Sequence, residues 1–372
     1  MTERHLHIIS FDVPSPPDYG GVIDVYCKLK ALHALGVKVH LHCFEYGRPH
    51  AAELKKWCAS VHYYQRHTGK VLLLNRLPYV VVGRRSEALV QRLLKDGHPI
   101  LFEGLHSCFH LGDPLLHGRL RLVRTHNVEH DYYAALARAE RGAFKRAYFI
   151  REARKLKRFE PVLSEADRLL TISPNDQAYF AKHFRNVEHV PAFHPGERVE
   201  VPPGVGDFCL YHGALSVPEN DQAALFLVKE VFNELPVKLV IAGSGASLEL
   251  KAAAARASNV ELREGVSTAE ISELVKHAQV NVLPTFQATG IKLKLLHCLF
   301  SGRHVVCNTP MVKGTGLEEL CHVHDDPATM RLSIQACMSK PANGSTEERR
   351  TALLEERFSN RRNAERIVKL LA

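Results

Sequence analysis

The chain runs one pattern twice, and that pattern leaves few folds open. A short apolar run is followed by a loop rich in glycine or polar residues, then by a segment of helical periodicity, and the cycle begins again. In the first half, apolar runs at 5–11, 37–44, 100–102, 120–125 and 168–172 read as strands, with a long helix over 22–35 after the first. Gly36 stands where a left-handed helix cap is wanted. Ser173-Pro174 sets a capping hydroxyl before a proline suited to the first helical position. Alternation of this kind is that of a parallel, doubly wound α/β sheet. Periodicity then stops over 191–206, where Pro191, Pro195, Pro202 and Pro203 cluster with Gly196, Gly204 and Gly206. This reads as a linker. The rhythm restarts with strands expected at 208–211, 237–242, 260–262, 280–284 and 305–308, and a helix over 219–233. Residues 349–372 are mostly helical, with a break at Ser359-Asn360. The 372 residues accommodate two domains, expected at 1–195 and 205–350, with closing helices over 351–372.

Sheets of this type bind ligands beyond the carboxyl ends of their strands. That singles out 12–21, 103–106 and 126–130 in the first half, and 213–220, 243–245 and 287–294 in the second. The last is the most telling. The apolar run at 280–284 leads into Thr289-Gly290-Ile291-Lys292-Leu293-Lys294, and Leu295, Leu296, Leu299 and Phe300 then repeat at helical spacing. Free backbone N–H groups, the positive end of the helix dipole and an early lysine together make an anion site. The plainer alternative is an ordinary helix start with solvated lysines.

Composition narrows the rest. No apolar run reaches the length of a membrane span. The polar residues 1–5 lead straight into a strand, so no secretory signal is visible and a cytoplasmic location is expected. Nine dispersed cysteines without a Cys-x-x-Cys pair suggest free thiols in a reducing compartment. The net charge of +9 suits phosphate-bearing ligands or an anionic membrane surface. Much of it lies in 141–158, where Arg141, Lys145, Arg146, Arg151, Arg154, Lys155, Lys157 and Arg158 interleave with Phe144, Tyr148 and Phe149. Such a segment is either a charged helix with one buried face or a basic surface for anionic lipid. No nucleic-acid-binding signature is present, so nucleic acid is not an expected partner. The pairs His5/His7, His40/His42 and His322/His324 have strand spacing, which puts each pair on one face. With no third ligand in view they are expected to be structural, and no metal site is assigned.

Six segments, in this order, resemble the retaining family-four glycosyltransferases of the GT-B fold. They are Pro-Pro-Asp-Tyr-Gly-Gly at 16–21, Thr-His-Asn-Val-Glu-His at 125–130, Ala-Asp-Arg-Leu-Leu-Thr-Ile-Ser at 166–173, Tyr-His-Gly-Ala-Leu-Ser-Val-Pro-Glu-Asn at 211–220, Leu-Val-Ile-Ala-Gly-Ser-Gly at 239–245 and Ala-Thr-Gly-Ile-Lys-Leu-Lys-Leu-Leu-His at 288–297. The resemblance implies two Rossmann-like domains facing a cleft, with a C-terminal helix crossing back to the first. It implies metal-independent, retaining hexosyl transfer, without a cofactor, from a UDP- or GDP-linked sugar to a glycan or lipid-linked acceptor, as in polysaccharide biosynthesis, with peripheral membrane contact. The donor would meet Thr289, Gly290, Ile291, Lys292 and His297, together with Gly213, Gly243 and Gly245, and Gly20 and Gly21 would let the backbone approach its phosphates. The acceptor would meet Asp18, Glu103, His106 and Asn127. Catalysis would fall to His126 in the sugar pocket, Glu129 as a base and Lys292 on the leaving diphosphate. Asn127 and Glu129 could equally cap the helix that follows them. The chain departs from the family in having His297 where a glutamate holds the ribose and Thr289 where a second glutamate is frequent. The usual Arg and Lys are absent from the region of Ala214 and Asn220. These departures keep a second reading open, a degenerate GT-B-fold protein that binds a nucleotide or glycan without catalysis. A nucleotide-sugar epimerase of the same fold is a third.

Overall fold

The computed structural model describes residues 3–140, 142–286, 292–342 and 344–371. They form two compact units, one from 3–193 and 358–371, the other from 194–286 and 292–357.

The first unit is a seven-stranded sheet in the order β3-β2-β1-β4-β5-β6-β7. Its strands are β1 (His5–Ser10), β2 (Lys38–Glu45), β3 (Ser60–Gln65), β4 (Ile100–Glu103), β5 (Arg121–Thr125), β6 (Arg168–Thr171) and β7 (Val187–His189). All neighbouring pairs are parallel. Helix α1 (Gly20–Ala34) follows β1 and packs Val22, Val25, Leu29 and Leu32 on Leu6, Ile8, Val39 and Leu41. Gly36 has φ +76°, the left-handed conformation its position requires. Helices α2 (Glu129–Ala139) and α3 (Ala143–Phe159) follow β5. Ser173 accepts a hydrogen bond from the Asp176 N–H and caps α4 (Pro174–Phe180), as its sequence foretold.

The second unit is a six-stranded parallel sheet in the order β10-β9-β8-β11-β12-β13. Its strands are β8 (Phe208–His212), β9 (Lys238–Gly243), β10 (Val260–Glu264), β11 (Val280–Leu283), β12 (His304–Cys307) and β13 (His322–Val323). The helix expected over 219–233 is shorter: α5 spans Pro218–Phe226 and gives way to a π-type turn over Leu227–Val231 and a tight turn over Phe232–Glu234. Leu227, Val228 and Val231 stay buried across that change. Helix α6 (Leu293–Ser301) lies between β11 and β12. Near the end of the chain, α7 (Gly344–Phe358) is tied into the second unit by Arg350, which is buried and donates to the carbonyls of Gly302 and Arg303. Ser359 then caps α8 (Asn360–Leu370), whose Ala364 and Ile367 join the core of the first unit.

Each sheet reverses direction once, between β1 and β4 in the first unit and between β8 and β11 in the second. Loops on either side of such a reversal diverge and leave a crevice at the carboxyl ends of the strands. In the second unit the loop after β8 packs so tightly on the end of β9 that a Cβ at Gly243 would lie 1.9 Å from the Gly213 carbonyl oxygen. Gly245 has φ +81° and abuts Ser216. These glycines therefore have a packing reason to be glycine. Gly243→Ala is expected to lower the unfolding free energy by about 1–3 kcal/mol, the usual cost of forcing an atom into a filled space. Urea unfolding checks this, and a change within ~0.5 kcal/mol contradicts the packing.

Candidate functional site

The polar residues of the first unit converge at the carboxyl ends of β4 and β5, beside its reversal point. Arg124, fully buried at the end of β5, donates twice to Asp24, at 2.8 and 3.1 Å. Asp24 also takes the Phe193 N–H at 2.8 Å and Lys28 Nζ at 3.0 Å. Asp24 and Lys28 are one turn apart on the face of α1 that meets the sheet. Lys28 Nζ reaches on to Glu103 Oε1 at 2.5 Å. Glu103 Oε2 lies 2.9 Å from Nε2 of His126. The result is an unbroken chain, Arg124–Asp24–Lys28–Glu103–His126, with two cations balancing two carboxylates before the imidazole is reached. Burial alone would raise the Asp24 carboxyl, but Arg124 and then Lys28 hold it well below its usual value. For Glu103 burial is likewise outweighed by Lys28 and then His126. An ionised Glu103 sets His126 with its proton on Nε2 and leaves Nδ1 free to accept. Phe11 packs edge-on against that ring, with centroids 5.4 Å apart.

Glu129 opens α2 with its carboxylate 2% exposed, and neither oxygen makes a hydrogen bond of acceptable geometry. His106 Nε2 stands 3.3 Å from Oε2. Val128 occupies the cap position of α2 and no side chain caps it, so the capping alternative for Asn127 and Glu129 is not realised. Burial would raise the Glu129 carboxyl, but His106 and then His126 keep it below its usual range. A carboxylate held down in this way is a weak proton acceptor; its charge serves to hold His106. Asp18 lies apart from this cluster, paired with Arg48 at 2.8 Å. A Cβ at Gly20 would meet nothing, whereas one at Gly21 would strike the Phe11 ring at 2.6 Å. Asp24, Glu103 and His126 have ligand atoms close enough to share a metal ion, but Lys28 and Arg124 already neutralise both carboxylates there.

In the second unit the cluster lies at the ends of β8 and β11. Thr289, Gly290 and Ile291 fall outside the described residues. Helix α6 begins at Leu293, so Lys292 holds the cap position and Lys294 the first turn. Lys292 is not a solvated charge: its Nζ is 3.1 Å from Glu219 Oε1. Thr285, just past β11, also donates to Glu219. Lys294 donates to Asn220 Oδ1 at 2.9 Å and Tyr211 Oη at 3.3 Å, and lies 4.7 Å from the centre of the Tyr211 ring. Burial brings the Lys294 ammonium down to about 8, Lys292 adding to the fall and Glu219 opposing it. Asn220 further donates to the Ala214 carbonyl and closes the loop after β8, at 3.0 Å. His297, half-buried, sits edge-on to His212 with centroids 5.9 Å apart. Burial, then Lys276, lowers His297; burial lowers His212 further, so both rings are neutral at pH 7. Sequence reasoning missed Asp24, Lys28 and Arg124 in the first unit, and Glu219 and Thr285 in the second. Arg124 left a signal, a charge inside an apolar strand run. Glu219 left another, directly after the proline that opens α5.

No family model matches the chain. It is 28% identical over 341 residues to an uncharacterized 44.6 kDa protein in the cps region of Klebsiella pneumoniae, covering 86% of this chain and 87% of that one. Its fold is similar to that of TarM, at 11% identity and a TM-score of 0.70 over 100% of this chain and 99% of that one. A further structure of Staphylococcus aureus TarM holds fondaparinux, α-GlcNAc-glycerol and UDP. Anabaena HepE in complex with UDP and glucose is similar at 12% identity and a TM-score of 0.66, covering 99% of each chain. The chain has the two-domain GT-B fold, with two Rossmann-like parallel sheets.

Lys28→Met should destabilise the first unit by about 3–5 kcal/mol, because it leaves Glu103 buried without its cation. The pH response should also change sign. In the parent, Asp24 and Glu103 have depressed folded values, so their contribution is complete above the unfolded carboxyl values near ~4 and lost as pH falls through the folded ones. In Lys28→Met, burial raises Glu103, so acidification from pH 7 to 5 should recover stability. Urea midpoints at both pH values check this. Parallel pH profiles for the two proteins contradict the assignment.

Proposed function

We propose that this protein is a glycosyltransferase of the retaining family-four kind, moving a sugar from a UDP- or GDP-linked donor to a glycan or lipid-linked acceptor without a metal. The observation that carries this reading is the pairing of Lys292 and Lys294 at the carboxyl ends of β8 and β11, in a chain of GT-B fold. Charge grows on the leaving diphosphate as the glycosidic bond breaks. Lys292 meets that charge by exchanging Glu219 for a phosphate oxygen, and Lys294 adds a second cation, fixed by Asn220 and Tyr211. The two lysines supply the positive charge that a divalent ion would otherwise bring. His297, neutral, hydrogen-bonds the ribose in place of the family's carboxylate. In the first unit His126 offers Nδ1 to a hydroxyl of the transferred sugar. His106, fixed by the Glu129 charge, and Asn127 contact the acceptor.

The nucleotide and sugar bound to HepE, and the UDP and α-GlcNAc-glycerol bound to TarM, support a nucleotide-sugar donor and a glycan acceptor. The cps-region relative supports polysaccharide synthesis. No helix among the described residues is long and apolar enough to cross a membrane. Contact with an anionic surface would fall to α3, which buries Glu152, Lys155 and Leu156 and exposes Lys145, Arg146, Arg151 and Arg154 with Phe144, 89% exposed, at its start. Nine free thiols, eight of them buried, support a reducing, cytoplasmic compartment. His297 in the ribose position favours the second reading, a GT-B-fold binder without turnover.

Lys292→Ala is expected to weaken UDP or GDP binding at least tenfold while leaving the parent nucleoside nearly unaffected, because only the diphosphate meets the lysine. Calorimetric titration checks this, and equal diphosphate affinity in variant and parent contradicts it. The pH profile gives a separate check. Burial holds His297 below its ordinary value near ~6.5, so the ring is still an acceptor there and donor affinity should fall only in more acid solution. A fall centred at or above pH 6.5 contradicts the assignment of His297 to the ribose.

A further inference from the structure

Six histidines gather at the amino-terminal end of the first unit's sheet, opposite the carboxyl ends that carry His126: His5, His7, His40, His42, His62 and His98. Strand register puts His7 beside His40 and His42 beside His62. Two kinds of imidazole pair result. His7 Nδ1 and His42 Nε2 are 2.8 Å apart, while His7 Nε2 faces Asp96 at 2.9 Å and His42 Nδ1 faces Tyr64 Oη at 2.9 Å. Both rings are buried and every nitrogen is engaged, so this pair is closed.

His5 and His40 make an open pair. His5 Nδ1 and His40 Nε2 face each other at 3.0 Å. Their outer nitrogens are already oriented, His40 Nδ1 by Ser60 Oγ at 2.9 Å and His5 Nε2 by the Glu3 carboxylate 3.7 Å away. Both rings are half-buried. His98 stacks on His5 with centroids 4.4 Å apart, and one ring nitrogen from each of His5, His40 and His98 lies within 4.8 Å of the others. The backbone of His98 is fixed, its N–H bonded to Asp96 at 3.0 Å and its carbonyl to Arg119 Nε at 2.9 Å, and its ring makes no hydrogen bond among the described residues.

We propose that His5, His40 and His98 bind a transition-metal ion of the zinc type, at a site separate from the residues assigned to sugar transfer. A hydrogen bond between two neutral imidazoles uses one proton between two lone pairs, and a metal ion uses both. Tetrahedral zinc holds nitrogen at 2.0–2.1 Å, which sets two such ligands about 3.3 Å apart. His5 and His40 are within a few tenths of an ångström of that spacing. His98 reaches the ion by turning its ring out of the stack about its side-chain torsions, with the backbone unmoved. Water fills the fourth position. An all-imidazole set selects zinc, nickel or copper over magnesium and calcium, which want oxygen. Partners on the outer nitrogens are what metal-binding histidines ordinarily carry. The bound ion joins the start of β1, the start of β2 and the turn that leads into β4.

The test uses the full-length protein, stripped of metal with a chelator and freed of any histidine tag, titrated calorimetrically with zinc and with nickel. One saturable site per chain is expected, weakened roughly tenfold or more by His98→Ala, His98→Gln and His5→Ala. Zinc should raise the melting temperature of the parent by several degrees and leave that of His98→Gln unchanged, each variant having the parent's circular dichroism. Three results would each overturn the proposal. These are no saturable binding by the parent, an affinity unchanged in His98→Gln, and loss of the site only on His322→Ala, which breaks a different group of close ligands, His304, His322 and Cys337.

Discussion

Lys28 is held between two carboxylates, with all three side chains fully buried. A cation so placed repays its lost hydration only if both anions stay ionised, and they stay ionised only while Lys28 and Arg124 are present. Filling the same volume with apolar side chains is frequently no less stable. What the ions supply instead is direction. Arg124 fixes Asp24 and the chain at Val190 and Pro191, Asp24 fixes Lys28, and Lys28 fixes Glu103. Glu103 in turn fixes Nε2 of His126, the one partly exposed member of this ion chain. The orientation of His126 is thus inherited from residues on α1, β4 and β5 that no ligand need touch.

The second unit uses the same device on a smaller scale. Glu219 holds Lys292, so the lysine is positioned without being left as an isolated charge. Lys294 is pinned by neutral groups, Asn220 and Tyr211, and pays for its burial in a lowered pKa. In the second unit the lysines stand at the carboxyl ends of strands flanking a reversal of strand order, and in the first unit His126 follows β5, one strand beyond the reversal, regions where a doubly wound sheet has room for a ligand.

Much of this was legible in the sequence. Apolar runs marked the central strands, Gly36 and Ser173 marked helix ends, and the proline cluster marked the passage between units. The strands that escaped notice are β3 and β7, both at sheet edges and short or half-exposed, so they carry no continuous apolar run, while β13 showed only in the strand spacing of His322 and His324. The ion chain escaped because its members lie on three segments distant in sequence, α1, β4 and the end of β5, which only the folded sheet and the helix packed on it bring together. His126, Glu129, Glu103 and His106 were singled out from their place after strands, yet their pairing as His126 with Glu103 and His106 with Glu129 depends on side-chain geometry that spacing does not encode. The histidine pairs on β1 and β2 were visible as pairs. Their third member, His98, was not, because it approaches from a turn rather than from a strand of the same pattern.

The central claim is that this arrangement transfers a sugar from a nucleotide, and release of the nucleotide measures it most directly. The full-length protein incubated with UDP-, GDP- and ADP-linked hexoses, with and without oligosaccharide or lipid-linked acceptors, should liberate the nucleoside diphosphate from at least one donor. That release should be stimulated by acceptor and lost in Lys292→Ala. Nucleotide binding without release from any donor, under conditions where the fold is intact, would contradict transfer and leave the chain as a GT-B-fold binder.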